Sequence, residues 1–416
     1  RRVCGGLVEQ APCHRGGVGG GGSSDEAEGS GGASRLRLWV TVLRGLHART
    51  WVLSLEGAIV SQLELPVALG GSPLWLRGGR AVQLTESLGR LPSLWDSSSL
   101  TPLPLPGAPP KLVAAEAPLR RADGSALPAV SYALSGTAAS APLVLYLLTA
   151  PPHSQLALHT GVAQLSPLPP PACVCGLPAG VPSHGGGACG IGHAVMPLVA
   201  CGFRVLAVVA RGDAANAPPA PTKAAAVAGS GNGARMSSLV AAAAAAGGAA
   251  VADLLAAVEQ SCCGAPVGLL ASGHAAHAAL CALLWSASEG RFGAAVLAGV
   301  YVCPRLRDLE TGRAPAAPAA ASHLVDALPA LRSPLLLLHG AEDTASPVSH
   351  ARMVHHAACG AGVPSRLVTY PRQGHELEEE SDLRDAAERA CGWFLEHLQT
   401  AGEGGERPGL QPAPCA

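Results

Sequence analysis

Large aromatic side chains are scarce in this chain, where Phe, Trp and Tyr together make up 3% of 416 residues. With 52 glycines and 36 prolines besides, it has little of the bulk that fills cores, and parts of it are expected to stay unfolded. Charge is also sparse, and 28 Lys and Arg against 29 Asp and Glu leave a net charge of −1. Such a balance leaves no electrostatic footprint for nucleic acid or an anionic membrane, and neither is expected as a partner. No run of about 18 strongly apolar residues occurs, so no spanning helix is expected. The Ala-rich stretch 239–252 is too short and too weakly apolar to change that.

Cysteine is present but gives no framework: 13 residues, an odd number, are scattered, some of them on apolar helical stretches (Cys281, Cys391). That favours reduced, buried thiols in an intracellular, cytoplasmic compartment over disulfides. Cys173, Cys175, Cys189 and His184 have the elements of a metal site, but their spacing is irregular and the loop proline-rich. Neither a metal nor a cofactor is expected. The chain opens on Arg1 and Arg2 rather than Met. That reads as an incomplete amino terminus, where a missing targeting signal means little.

Along the chain, residues 1–34 are Gly- and Ser-rich with an acidic patch and read as disordered. Residues 35–111 hold short β-like runs (36–43, 50–55, 58–65, 74–76, 81–84) between turn residues, then a proline-rich connector at 102–110. Residues 112–134 read as an antiparallel hairpin turning at Asp123-Gly124. From 142 onward apolar runs alternate with helical stretches: strands at 142–148, 203–210, 267–271, 294–302, 334–338 and 366–370, helices at 192–200, 251–260, 274–284, 347–361 and 387–398. This grammar predicts an α/β fold with a doubly wound, mostly parallel sheet spanning 112–400. Low-complexity insertions are expected near 156–188 and 213–248, a loop at 305–321 and a disordered tail at 401–416.

The most informative stretch is the apolar run 334–338, which reads as a strand buried on both faces and ends in His339, Gly340 and, three residues on, Asp343. Residues 366–370 repeat the pattern, and His375 follows by five. A carboxylate leaving one parallel strand and an imidazole leaving the next can meet at one sheet edge, where the acid fixes the imidazole tautomer. The bland alternative has Asp343 capping the following helix and His375 as a loop residue.

With its His-Gly-x-x-Asp turn, its Tyr370-Pro371-x-x-x-His375 turn and its final helix, this segment resembles the carboxyl end of the prolyl oligopeptidase family of serine peptidases, an α/β-hydrolase group. Residues 203–212 (FRVLAVVARG) and 291–299 are similar to that family as well. The resemblance implies an α/β-hydrolase domain, peptide substrates, and the chain order Ser, Asp, His, with Asp343 as orienter and His375 as general base. It also implies that 35–111 is a remnant of the β-propeller preceding such domains.

At the nucleophile elbow the sequence departs from the family. Strand 267–271 and helix 274–284 flank Ala271-Ser272-Gly273-His274, which resembles the Gly-Gly-Ser-His-Gly-Gly turn of the acylaminoacyl and dipeptidyl peptidases. In that register the nucleophile position is Gly273, and the only hydroxyl, Ser272, lies one place early and projects differently. The oxyanion candidates are Ala150 and His274, through their backbone N–H groups. The Gly-Gly-Pro turn that builds the family's oxyanion hole is here Thr149-Ala150-Pro151-Pro152, with both glycines gone. A serine peptidase using Ser272 and a non-catalytic relative that keeps the fold for binding or assembly are both open on these residues.

Overall fold

The computed structural model of the chain describes residues 3–8, 37–44, 47–54, 56–63, 69–70, 74–75, 81–87, 90–96, 101–103, 112–150, 195–211, 248–261, 267–312, 323–375, 377 and 379–398. The chain divides into one unit of residues 1–110 with 166–182 and another of 111–165 with 183–416.

In the first unit, β1 (Val3–Val8), β2 (Arg37–Arg44), β3 (His47–Ser54) and β4 (Ile59–Leu63) form an antiparallel sheet in chain order. β5 (Leu69–Gly70), β6 (Leu74–Trp75), β7 (Ala81–Ser87), β8 (Arg90–Asp96) and β9 (Thr101–Pro102) form a second, with β6 also on β7. Four strands depart from the sequence reading: the two-residue β5 and β9, which lie outside the β-like runs, and β1 and β8. β1 falls inside the stretch expected to be disordered and pairs with β2 from Val3–Val42 to Val8–Arg37. Its apolar ends (VCGGLV) were outweighed by the glycines around them. β8 contains Pro92, which cannot donate to a ladder. That proline lies where the register shifts, between the pairs Thr85–Ser93 and Ser87–Arg90.

The second unit opens with β10 (Leu112–Glu116), β11 (Leu119–Arg120), β12 (Ala126–Leu127) and β13 (Ala129–Leu134). The expected hairpin is thus two nested pairs, β10 with β13 and β11 with β12. Pro118 and Pro128, which lack an N–H, sit at the two breaks. The predicted turn closes the inner pair: Arg121 N–H donates to Ser125 O (2.8 Å), and Gly124 takes φ +81°.

There follow β14 (Leu143–Ala150), α1 (Val195–Ala200), β15 (Arg204–Arg211), α2 (248–261), β16 (Val267–Ser272), α3 (Gly273–Trp285), β17 (Phe292–Ala298), α4 (Pro304–Glu310), α5 (His323–Ala327), β18 (Leu335–Gly340), α6 (Val348–Gly360), β19 (Ser365–Tyr370) and α7 (Glu380–Leu398). The eight-stranded sheet runs β10-β13-β15-β14-β16-β17-β18-β19. β10, β13 and β15 pair antiparallel; from β15 to β19 every pair is parallel. This is the doubly wound, mostly parallel sheet the sequence predicts. Strand order reverses around β14, which lies between β15 and β16, and ligand crevices open at the carboxyl ends of strands flanking such a point.

Several boundaries differ. β17 stops at Ala298, four residues short, because Gly299 turns the chain at φ +55°. α4 replaces part of the loop expected at 305–321, with Pro304 at its first position and Cys303 Sγ accepting from Leu306 N–H (3.4 Å). α7 starts seven residues early, with Glu380 and Asp382 in its first turn and ion pairs Arg384–Glu380 (2.7 Å) and Arg389–Asp385 (2.6 Å) along its exposed face. The insertions near 156–188 and 213–247, and the tail, lie outside the described residues.

With few aromatics, the core is aliphatic: every residue of β18 is buried, and α3 buries Ala275, Ala276, Ala279, Leu280 and Leu283. Among the described residues no helix is long and apolar enough to cross a membrane.

Candidate active site

β18 is buried on both faces and leaves the sheet at Gly340. A Cβ at Gly340 would lie 2.0 Å from Gly374 O and 2.4 Å from Gln373 O, so only glycine lets the turn after β19 cross this close. Two backbone bonds pin the crossing: Ala341 N–H to Tyr370 O and Glu342 N–H to Gln373 O, both 2.9 Å. Arg372, at φ 60°, makes the turn that brings His375 back toward β18.

Asp343 is buried, and the hydrogen bonds to its carboxylate orient it. Oδ1 accepts from Ala345 N–H (2.8 Å) and Ser346 N–H (2.7 Å), an Asx-type turn ahead of α6. Oδ2 accepts from His375 Nδ1 at 2.8 Å. The Asp343 side chain is fully buried, whereas His375 is 33% exposed. His375 thus carries its Nδ1 proton toward the acid and turns Nε2 away from it, as a general base requires. The cap reading of Asp343 accounts for Oδ1 alone.

The third element comes from β16. Ser272 closes that strand, paired with Ala298, with extended φ −137° and ψ 152°, and makes no side-chain cap bond. α3 begins at once with Gly273 at φ +54°, the left-handed conformation of a tight strand-to-helix elbow. A Cβ built on Gly273 would stand 3.2 Å from His375 Nε2 and 3.7 Å from Cε1. The imidazole therefore faces position 273. Ser272, extended and one residue earlier, directs its side chain elsewhere.

The oxyanion candidates lie at the same rim. Leu147 of β14 pairs with Ala271 of β16, so Ala150, three residues on, ends β14 beyond the level of the elbow. His274 is in the first turn of α3, where backbone N–H groups have no intrahelical partner. Residues 151–155, which follow Ala150, lie outside the described residues, as do Cys173, Cys175, His184 and Cys189. Among the described residues no group of three His, Cys, Asp or Glu is placed to hold a metal ion.

Beneath the elbow lies a polar cluster that the sequence reading did not find. His274 Nδ1 meets the Tyr301 hydroxyl at 2.5 Å, and His277 Nδ1 donates to Tyr301 O at 2.9 Å while its ring stacks on the phenol, 4.6 Å between centroids. The Arg307 guanidinium covers the same phenol at 4.5 Å. Burial pushes His277 down to about 4 and raises the Tyr301 hydroxyl above its usual range. The only sequence signal was a pair of histidines on an otherwise Ala-rich helix. His339 and Gly340 were read as a tight turn, without the close approach at Gly340 or the burial of His339.

Residues 308–401 match the model of the prolyl oligopeptidase family. Among solved structures, the chain is similar to a puromycin-hydrolyzing peptidase of Mycobacterium tuberculosis (16% identity, TM-score 0.58, 92% of this chain and 54% of that one). It is also similar to the acylaminoacyl peptidase of Pyrococcus horikoshii (12%, TM-score 0.55, 89% and 56%) and to prolyl endopeptidases (15%, TM-score 0.53, 87% and 51%). The fold of the second unit is that of an α/β-hydrolase. The chain spans about half the length of these structures.

Proposed function

We propose that the domain ending in this prolyl oligopeptidase family segment keeps the acid and base of a serine hydrolase, lacks its nucleophile, and binds peptide-like ligands without acylation. The observation that carries the reading is Gly273. It has the elbow's backbone and its absent Cβ faces His375 Nε2 at 3.2 Å, yet it offers no hydroxyl. In an acyl-enzyme mechanism the serine oxygen attacks the carbonyl carbon as its proton passes to the imidazole, and the buried carboxylate stabilises the resulting imidazolium. Here Asp343 and His375 are arranged for the last two roles, and the first has no atom at position 273. Ala150 and His274 N–H are the groups we assign to carbonyl binding at this rim. The unpaired thiols of Cys281, Cys303 and Cys391 suit a reducing, intracellular setting.

A second reading, a working peptidase with Ser272 as nucleophile, is favoured by one feature: that hydroxyl is partly exposed and makes no cap bond. Fluorophosphonate labelling with mass mapping separates the two. The wild-type chain is expected to take no adduct at Ser272. Gly273→Ser is expected to gain one at 273 that disappears in Gly273→Ser/His375→Ala, the imidazole giving way by a few tenths of an ångström. An adduct on wild-type Ser272, lost in Ser272→Ala, would establish the peptidase reading instead. A folded Gly273→Ser chain with no adduct would show that 273 is not the elbow position.

A further inference from the structure

His339, the penultimate residue of β18, is 1% exposed and has no place in the acid–base pair as described. Its Nε2 lies 2.7 Å from Ser346 O and 3.4 Å from Asp343 Oδ2. A carbonyl oxygen only accepts, so Nε2 carries the proton and Nδ1 is the unprotonated nitrogen. That Nδ1 is buried with no hydrogen-bond partner among the described residues. A second proton on Nδ1 would find no acceptor among the described residues, and burial lowers the His339 pKa.

These contacts close a ring. Asp343 Oδ1 receives the Ser346 N–H, Ser346 O receives the His339 N–H, and His339 Nε2 lies 3.4 Å from Asp343 Oδ2. We propose that His339 is a positioning residue: as a neutral donor it locks the Asp343–Ser346 turn and holds Oδ2 in line with His375 Nδ1. Because it stays uncharged, it orients the carboxylate without competing with His375 for its charge. This rests on the Asp343–His375 pair proposed above and adds a third residue on which its geometry depends.

Two substitutions separate positioning from packing. His339→Leu keeps apolar volume and removes the donor, whereas His339→Gln places an amide N–H near the original Nε2–H. In the full chain, the far-downfield proton resonance of the His375 Nδ1–H bond to Asp343 is expected to persist in His339→Gln and to be lost to solvent exchange in His339→Leu. In the Gly273→Ser background, fluorophosphonate labelling is expected to slow about a hundredfold with Leu and only a few-fold with Gln. If the Leu chain does not fold, His339→Asn, too short to reach Ser346 O, replaces it with the same expectations. A folded Leu or Asn chain that keeps the resonance unchanged overturns the inference, and so does a folded Gln chain that loses it. The resonance reports on the pair without any acylation, so its outcome is independent of where the nucleophile lies.

Discussion

Gly340 and Gly273 make opposite use of a missing side chain. At Gly340 the space is filled by the backbone of Gln373 and Gly374, the nearest atom 2.0 Å from where a Cβ would be. Gly340→Ala must therefore push away the turn that delivers His375. It is expected to destabilise the domain by about 1–3 kcal/mol, as overpacking does, and to abolish the His375–Asp343 bond. Chemical denaturation and the downfield proton resonance check the two effects together. At Gly273 the space lies open toward an imidazole. Gly273→Ala is expected to cost about 1–2 kcal/mol for a left-handed alanine and to leave fluorophosphonate reactivity at zero. It is the control that separates backbone strain from the gain of a hydroxyl.

At the scale of elements, two contacts hold interior strands of the sheet that carries the site. α7 lies against β16 through Phe394, whose ring also meets Phe203 edge-on at 6.3 Å. A Cβ at Gly268 would stand 2.7 Å from Phe394 Cε1 and 2.9 Å from Leu398 Cδ1. Gly268→Ala is expected to destabilise by about 1–3 kcal/mol, and Gly268→Ala/Phe394→Leu by less than the sum of the single changes, because the smaller side chain makes room. Urea denaturation of the four chains measures the coupling, and strict additivity would refute the contact. On the other side of the sheet, Asp253 of α2 is 1% exposed and clamps the end of β15. It accepts from Arg211 N (3.0 Å), Arg211 Nη2 (2.7 Å) and Arg121 Nε (3.2 Å). Asp253→Ala is expected to cost about 3 kcal/mol, the lower end for a broken buried pair, because both guanidinium groups reach water. Thermal or urea unfolding reads this directly.

For the molecule as a whole, buried histidines set the response to acid. His277, His339 and His350 all have folded-state values lowered first by burial, His277 to about 4. Below the ordinary value of 6.5 the unfolded chain takes up protons that the folded one refuses. Stability is thus full above pH 6.5 and declines as pH falls toward 4. For His277 alone the loss approaches about 3 kcal/mol, at 1.36 kcal/mol per unit. A chain carrying His277→Gln is expected to show a shallower fall between pH 6.5 and 4 than the wild type, measured by urea midpoints across that range. An equal slope would mean that His277 takes up its proton as readily in the folded chain as in the unfolded one.

Much of this molecule was determined by the sequence alone. The buried runs of the parallel strands, the Asp-Gly turn and the two loops bearing Asp343 and His375 are local patterns, and local physics is enough to read them. Most longer strands of the first unit were legible for the same reason; the two-residue β5 and β9 were not, nor were β1 and β8, where glycine and proline masked segments that pairing with a neighbour stabilises. α4 was hidden because its cap is a cysteine, a residue with little capping signal of its own. What only the tertiary structure decided is which atoms meet. That Gly273 rather than Ser272 faces His375, that Gly340 must be glycine and that His339 braces Asp343 all depend on contacts between residues brought together from separate strands. Such distances follow from how the strands pack, and nothing in the spacing of residues along the chain specifies them.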